Sequence, residues 1–128
     1  MSEYSSFFRI CDQVLRPDGL IFMQMITLPD QRHESYKRRI DFIQKHIFPG
    51  GALLSPSELY IRANTAGFTR KTSANYGLDY AETLAHWRTR FQAAGNRVAA
   101  LGFDERFRRC WLFYLAYCEG GFRAGNID

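Results

Sequence analysis

The sequence predicts an α/β fold, because helical patterns alternate with a short apolar stretch that is typical of a buried strand. That stretch runs from Leu20 to Ile26 and is broken only by Gln24, as expected when helices cover both faces of a parallel sheet. A chain of 128 residues with 46% hydrophobic side chains fits one compact domain, residues 1–128. A lone strand cannot form a sheet, so the chain is either mostly helical or part of a larger sheet.

The first predicted element is a helix over residues 4–15. Its apolar residues recur at helical spacing, namely Phe7, Ile10, Cys11 and Val14. A proline and a glycine within residues 16–19 then predict a tight turn into the strand. Helix, turn and strand together make half of an α/β unit.

Two helices are expected in the middle of the chain. The first spans Ser35 to Ile47, where apolar side chains recur every three or four positions and charged ones fill the opposite face. It ends at residues 49–51, a proline and two glycines interpreted as a loop that permits positive φ. The second begins at Ser55, because residues 55–58 form a capping box with proline at the first helical position, and it runs to Gly67.

Further along, residues 68–74 predict a short second strand. Another helix is indicated by a stripe at helical spacing, namely Leu84, Trp87, Phe91, Ala94 and Val98. The segment after Asp104 is apolar nearly all round, which predicts a central helix that other elements cover on every side.

The formal charge of +4 favours anionic partners, either phospholipid surfaces or nucleic acid, and does not choose between them. The chain carries no signature of an RNA-recognition, zinc-finger or helix-turn-helix module, so we expect no nucleic-acid partner. No apolar run approaches the roughly 20 residues of a membrane-spanning helix, and the first residues lack a secretory pattern. The expected location is therefore the cytoplasm.

Cysteine and histidine spacing argues against disulfide and metal sites. None of the three cysteines lies in a CxxC pair, which predicts reduced thiols in the core. The three histidines lack the close spacing of metal ligands and are predicted to be surface or interhelix residues. These residues are Cys11, Cys110, Cys118, His33, His46 and His86.

Three segments carry a resemblance to a known family. They are residues 26–51 (ITLPDQRHESYKRRIDFIQKHIFPGG), 79–91 (DYAETLAHWRTRF) and 101–122 (LGFDERFRRCWLFYLAYCEGGF). In this order they resemble the C-terminal part of the cyclopropane-fatty-acyl-phospholipid synthases, a family of S-adenosylmethionine methyltransferases that is similar to the mycolic acid cyclopropane synthases. The resemblance covers nearly the whole chain.

The resemblance implies a Rossmann-like class I methyltransferase fold with a helical cap, of which this chain holds only the C-terminal portion. It would supply the fifth strand, the cap helices, the sixth strand and the last long helix. The glycine-rich loop for S-adenosylmethionine precedes these segments in the family, so we expect the cofactor-binding half to be absent and the chain alone to be inactive. An incomplete sheet also predicts self-association or poor solubility.

The implied reaction moves the sulfonium methyl to a cis double bond of a phospholipid acyl chain, and bicarbonate then deprotonates the carbocation so that the ring closes. On that resemblance Gln24 and Ile26 match positions at the end of the fifth strand that contact the bicarbonate. Tyr80 matches the anion-binding tyrosine and is expected at a helix start, where free amides favour an anion. The alternatives stay open: Gln24 as a buried strand glutamine and Tyr80 as a packing residue.

Aromatic residues are candidates for lining an acyl tunnel, although core packing also explains them. They are Phe42, Phe48, Trp87, Phe91, Trp111, Phe113, Tyr114 and Tyr117. The arginine pairs at 38–39 and 108–109 are candidates for lipid phosphates or else solvate a helix face. The expected partner is thus an unsaturated phospholipid at a peripheral membrane surface.

Two alternatives to cyclopropane formation remain. One is an enzyme that methylates the same double bond without closing the ring, which the non-titrating Gln24 keeps open. The other is a noncatalytic lipid-binding or partner-binding module.

Overall fold

The computed structural model describes residues 3–128, and these residues form seven helices and no extended sheet. The helices are α1 (Glu3–Val14), α2 (Asp30–Lys37), α3 (Phe42–His46), α4 (Pro56–Thr65), α5 (Gly77–Ala93), α6 (Gly95–Ala100) and α7 (Glu105–Arg123). The predicted α/β class is therefore met only in part.

Helix α1 and the turn after it confirm the sequence prediction. The amide of Gly19 donates to the Arg16 carbonyl over 2.9 Å and closes the turn. Phe8 is buried and packs near Phe68, with ring centroids 6.0 Å apart, while the helix as a whole lies against α4. Most of the predicted apolar stripe is exposed to solvent, however, and Val14 is 76% exposed.

The predicted strand at residues 20–26 is extended backbone whose side chains alternate in exposure. Only its end is paired within the described residues. Thr27 forms a parallel bridge with Leu54, and it exchanges two hydrogen bonds of 2.7 and 2.9 Å with Asp128, the pattern of an antiparallel pair. No neighbouring strand runs along residues 20–26 in the described chain, and no described element covers the side chain of Phe22, which stays 94% exposed.

The single helix predicted over Ser35 to Ile47 is wrong, because the helix breaks between Lys37 and Phe42. Asp41 caps α3 instead: its carboxylate accepts from the Gln44 amide at 2.8 Å, and the Gln44 side chain accepts from the Asp41 amide at 3.1 Å. This capping box inside an apolar period starts a new helix and lets the chain turn.

Helix α4 begins as predicted, with Ser55 as its N-cap, and Gly67 follows its end at φ +90°. The strand predicted for residues 68–74 is not formed. Those residues run extended along the surface, where the Arg70 guanidinium lies 4.4 Å above the Tyr60 ring. A strand needs a partner to pair with, and none of the described residues lies beside this segment in a ladder.

Helices α5 and α7 form the main core. Their buried seam contains Ala81, Leu84, Leu115 and Phe122. The apolar stripe that predicted one helix is divided between α5 and α6, and Asp104 caps α7 by accepting from the Phe107 amide at 2.8 Å.

The prediction that α7 is covered on every side is wrong, because only one of its faces is buried. Phe113 is 52% and Tyr117 43% exposed. The chain as a whole exposes 9672 Å², whereas a compact monomer of 14.9 kDa exposes about 7,000 Å². It therefore leaves more surface uncovered than a self-contained domain of its mass.

Candidate functional site

Two of the three predicted site residues lie towards one end of the molecule. Ile26 ends the extended segment at 40% exposure and precedes Thr27, which is hydrogen-bonded to Asp128. A Cβ atom placed on Gly77, the first residue of α5, would lie 3.9 Å from the Cα of Asp128. The C-terminal residues therefore connect the end of the extended segment to the first turn of α5, where Tyr80 lies.

Tyr80 sits half-buried among aromatic rings. Its ring centroid is 5.1 Å from that of Phe122 and 6.2 Å from that of Trp87, in an edge arrangement with the tryptophan. Tyr114 is close by: burial raises the pKa of its hydroxyl, and the nearby Cys118 and Tyr80 add to that rise. The Tyr80 side chain thus projects from α5 into an aromatic environment with other titratable groups nearby.

The start of α5 has fewer free backbone amides for binding an anion than the sequence predicts. The Gly77 amide already donates to the Asn75 side chain at 2.7 Å, and the Tyr80 amide donates to the Tyr76 carbonyl at 2.8 Å. Asp79 adds a negative charge to the first turn. Any anion held here depends on the tyrosine hydroxyl more than on free helix amides.

Gln24, two residues before Ile26, borders an open groove of about 570 Å³ between α1, residues 22–25 and α4. Its side chain is exposed, so its reading as a buried strand glutamine is wrong for the described chain. Apart from Gln24 the groove is lined by aromatic and aliphatic side chains, namely Tyr4, Phe7, Phe8, Phe22, Met23, Met25 and Leu59. The Tyr4 hydroxyl donates to the Ala52 carbonyl at 3.0 Å, so Gln24 supplies the groove's unengaged polar side chain.

Most of the aromatic tunnel candidates meet between α3 and α7. The Phe42 ring lies 4.6 Å from Phe113 and 6.1 Å from Tyr117, and Phe48 lies 6.3 Å from Tyr114. Trp111 and Tyr114 continue the same run of contacts along α7. These rings form a wall that is apolar and open on one side, as their partial exposure shows.

Ion pairs connect α5 and α7 close to these aromatic rings. The Glu119 carboxylate accepts from Arg88 of α5 at 3.1 Å and from Arg123 of α7 at 3.1 Å. Burial raises the pKa of Glu119, but the hydrogen bonds from Arg123 and Arg88 outweigh burial and leave the pKa below its usual value. Cys118, next to it, is partly buried, and burial raises the pKa of its thiol to about 11.

The arginines proposed for lipid phosphates differ in their surroundings. Arg108 is engaged by Glu105 through two hydrogen bonds of 2.7 and 2.6 Å. Arg38 and Arg39 lie in the exposed connection between α2 and α3 and form no ion pair with any described residue. Arg38, Arg39 and the exposed Arg109 are therefore free to meet an external anion, whereas Arg108 is engaged.

Sequence reasoning missed several polar contacts that position α2. Asp30 accepts from the Ser57 hydroxyl at 2.8 Å, and hydrogen bonds from Ser55 and Ser57 lower its pKa. Arg32 of α2 bonds Asn126, and His33 is buried at 7% exposure. Arg32 and Asn126 are 94 positions apart, so no local pattern announces their contact.

Residues 3–128 contain neither a metal-binding cluster nor a membrane-spanning helix. No group of three or more histidine, cysteine, aspartate or glutamate side chains there is arranged to hold a metal ion. The three cysteines are free thiols of partial burial. No helix of the described chain has the length and apolar character to cross a membrane.

The sequence profile of the family described as mycolic acid cyclopropane synthetase matches residues 1–128. Among curated proteins, the tuberculostearic acid methyltransferase UfaA1 of Mycobacterium tuberculosis is 42% identical over 98% of this chain and 30% of its own length. The cyclopropane-fatty-acyl-phospholipid synthase of Escherichia coli (strain K12) is 33% identical over 98% of this chain and 31% of its own length. The chain thus spans about a third of the length of these relatives.

Solved structures show the same likeness in three dimensions. The cyclopropane synthase MmaA2 from Mycobacterium tuberculosis superposes with a TM-score of 0.87 at 26% identity, over 98% of this chain and 47% of that one. The mycolic acid cyclopropane synthase CmaA1, complexed with SAH and CTAB, gives a TM-score of 0.87 at 32% identity over the same shares. The helical arrangement described above is therefore similar to one half of each of these enzymes.

Proposed function

Because the chain belongs to the mycolic acid cyclopropane synthetase family, we propose that it forms the C-terminal part of an S-adenosylmethionine-dependent methyltransferase acting on cis-unsaturated acyl chains of phospholipids. One observation carries this proposal: the family match extends over residues 1–128 and so includes all three segments that carry the resemblance. We propose cyclopropanation as the reaction. The residues of this chain would bind the acyl chain and the anion beside it, and would not bind S-adenosylmethionine.

In the proposed reaction, the methyl group of the substrate S-adenosylmethionine leaves its sulfur atom. One alkene carbon of the acyl chain forms a bond to that methyl carbon. The other alkene carbon becomes a cation. Bicarbonate, if held by the residues named next, would supply the base for a proton of the new methyl group, and the electron pair of that C–H bond would close the three-membered ring. Tyr80 would donate its hydroxyl hydrogen to the bicarbonate, and the carbonyl oxygen of Ile26 would accept the bicarbonate's own hydrogen.

Gln24 would hold the same anion by hydrogen bonding without taking a proton, because an amide does not titrate. The aromatic wall on α3 and α7 would exclude water and stabilise the cation through ring faces. In the described chain Gln24 lies in the groove beside α1 and not beside Tyr80, so this role requires other parts of the fold to close around both.

The described residues do not fit a binding site for S-adenosylmethionine by themselves. Gly50 and Gly51 follow α3, so they do not form the strand-to-helix loop that cradles such a substrate. We assign that binding to a part of the fold outside residues 3–128 and expect no turnover from this chain alone. We propose a peripheral location at a membrane because the proposed substrate is a phospholipid, and the cytoplasmic side remains the expectation from the sequence.

A second candidate is methylation without ring closure. It is favoured by the higher identity to the tuberculostearic acid methyltransferase, 42% against 33% for the phospholipid cyclopropane synthase. Both reactions share the methyl transfer and the cation, and they differ in where the proton is lost. Loss from the new methyl group gives the ring, and loss from a neighbouring chain carbon gives a methyl-branched alkene.

The test is a chimera in which this chain replaces the matching 47% of the cyclopropane synthase MmaA2. Incubation with S-adenosylmethionine and a cis-unsaturated phospholipid should add one CH2 unit, and proton NMR of the product distinguishes ring protons from olefinic ones. Ring signals support cyclopropanation, and a branched alkene supports the second candidate. A folded chimera that gives neither product would favour the noncatalytic lipid-binding module and overturn the proposal.

A further inference from the structure

The connection between α2 and α3 concentrates positive charge on the surface. We name residues 37–46 the α2–α3 corner. It holds four cationic side chains against one carboxylate, so it carries three of the four net positive charges of the chain. The cationic residues are Lys37, Arg38, Arg39 and Lys45. The corner is therefore one of the segments of the chain in which cationic side chains cluster.

Most of this charge is not neutralised within the described chain. Lys37 pairs with Glu34 at 2.5 Å, while Arg38, Arg39 and Lys45 form no ion pair with any residue from 3 to 128. The carboxylate within the corner, Asp41, is occupied as the N-cap of α3. The corner thus presents three free cationic groups to solvent.

An apolar tip stands among these charges. Ile40 is 78% exposed and follows the arginine pair directly. The capping box fixes the backbone at Asp41, and the Gln44 side chain also donates to the Gly51 carbonyl at 2.9 Å. The side chain of Ile40 therefore points towards solvent from a turn whose backbone is fixed by hydrogen bonds.

Partly exposed aromatic rings adjoin the same corner. Phe42 lies against Phe113 and Tyr117 of α7, and these two are 52% and 43% exposed. Cationic groups beside a protruding aliphatic side chain and aromatic rings suit the interface of a bilayer, where each finds its preferred depth. An acidic protein surface would match the charge but would give a protruding isoleucine no partner.

We propose that the α2–α3 corner docks the chain on an anionic phospholipid bilayer, with Arg38, Arg39 and Lys45 at the headgroups and Ile40 inserted between them. The proposal deepens the proposed function, since a phospholipid substrate must be reached at a membrane surface. Docking needs neither S-adenosylmethionine nor a double bond, so it is separable from turnover.

The test is flotation of this chain with vesicles of saturated lipid, equal parts dimyristoyl phosphatidylglycerol and dimyristoyl phosphatidylcholine. Saturated chains offer no reactive double bond. We expect binding that falls about thirtyfold in Arg38→Gln/Arg39→Gln and about tenfold in Ile40→Ser. The matched controls are Arg97→Gln/Arg106→Gln, on α6 and α7, and Leu101→Ser, in the turn between them. They remove two guanidinium groups and one aliphatic side chain from exposed positions and should bind like the unaltered chain.

Each outcome decides the proposal, provided that circular dichroism shows every variant folded. Loss of binding in both corner variants with intact controls supports it. Equal loss in the control variants would show attraction by net charge alone, and no binding by the unaltered chain would remove the premise; either overturns the proposal. Loss in the arginine variant but not in Ile40→Ser would show attraction to the headgroups without insertion of Ile40 and would also overturn it. A chimera that binds but does not turn over would refute the proposed function and leave docking standing.

Discussion

Replacing Leu84 by alanine tests whether the seam between α5 and α7 holds this chain together. Leu84 is 2% exposed and belongs to the buried cluster with Leu115 and Phe122. Truncation of a buried leucine costs about 2.7–5.0 kcal/mol, and we expect about 3 kcal/mol because the neighbouring surface is open enough to relax. A chain of this length has about 6–19 kcal/mol of stability in total. An incomplete core belongs near the lower limit, so about half would be lost.

Urea unfolding followed by far-ultraviolet circular dichroism measures the effect. With a slope of about 2 kcal/mol per molar urea, the midpoint should fall by about 1.5 M. The matched control is Leu101→Ala, at 76% exposure, which should cost less than about 0.5 kcal/mol. Equal midpoints for the two variants would refute the assignment of the core to this seam.

Three further predictions concern one side chain each: a helix cap, an ion-paired carboxylate and a partly buried thiol. Ser55→Ala removes the N-cap of α4 and should lower Tm by about 4 °C, measured by thermal circular dichroism; an unchanged Tm would deny the cap a role. The pKa of Glu119 is below its usual value, so its contribution is present above about pH 4.3 and is lost as pH falls further. Glu119→Gln should therefore flatten the fall in urea midpoint below that pH, and a slope like the unaltered chain's would count against the Arg88 and Arg123 contacts. Cys118, with a pKa of about 11, carries about one thiolate per thousand molecules at pH 8 and should be alkylated more slowly than Cys11 by iodoacetamide, as peptide mass spectrometry would show; equal rates would contradict its burial.

Elements whose signals are local were predictable from the sequence. The cap and proline at the start of α4 fix Ser55 as the N-cap, and the breaker after α1 closes its turn at Gly19. The break before α3 has a local signal too, the aspartate at 41 with a glutamine three positions on, but the apolar period that runs across it predicts one helix. A capping box ends a period when the chain must turn there.

Elements that depend on distant partners were not predictable in the same way. Residues 68–74 have the composition of a strand, but without a ladder they lie extended on the surface. The candidate site behaves similarly: the family resemblance selected Tyr80 and Ile26, while the contacts of Asp128 with Thr27 and of Arg32 with Asn126 join positions far apart in sequence. The polarity of individual residues does not predict which distant residues form such pairs.

Tyr80 is the site residue whose removal is most informative within the chimera. Tyr80→Phe keeps the ring contacts with Phe122 and Trp87 and deletes only the hydroxyl. If that hydroxyl positions the bicarbonate, kcat should fall about 100-fold with little change in stability. An unchanged kcat would assign Tyr80 to packing.

The central claim is that this chain forms the lipid-binding part of a methyltransferase. Its most direct test follows radiolabelled methyl groups from S-adenosylmethionine into phospholipid by the chimera, with cis-unsaturated and saturated vesicles compared side by side. The account predicts label in the unsaturated lipid alone. A folded chimera that binds both vesicles and labels neither, or labels both equally, would contradict it.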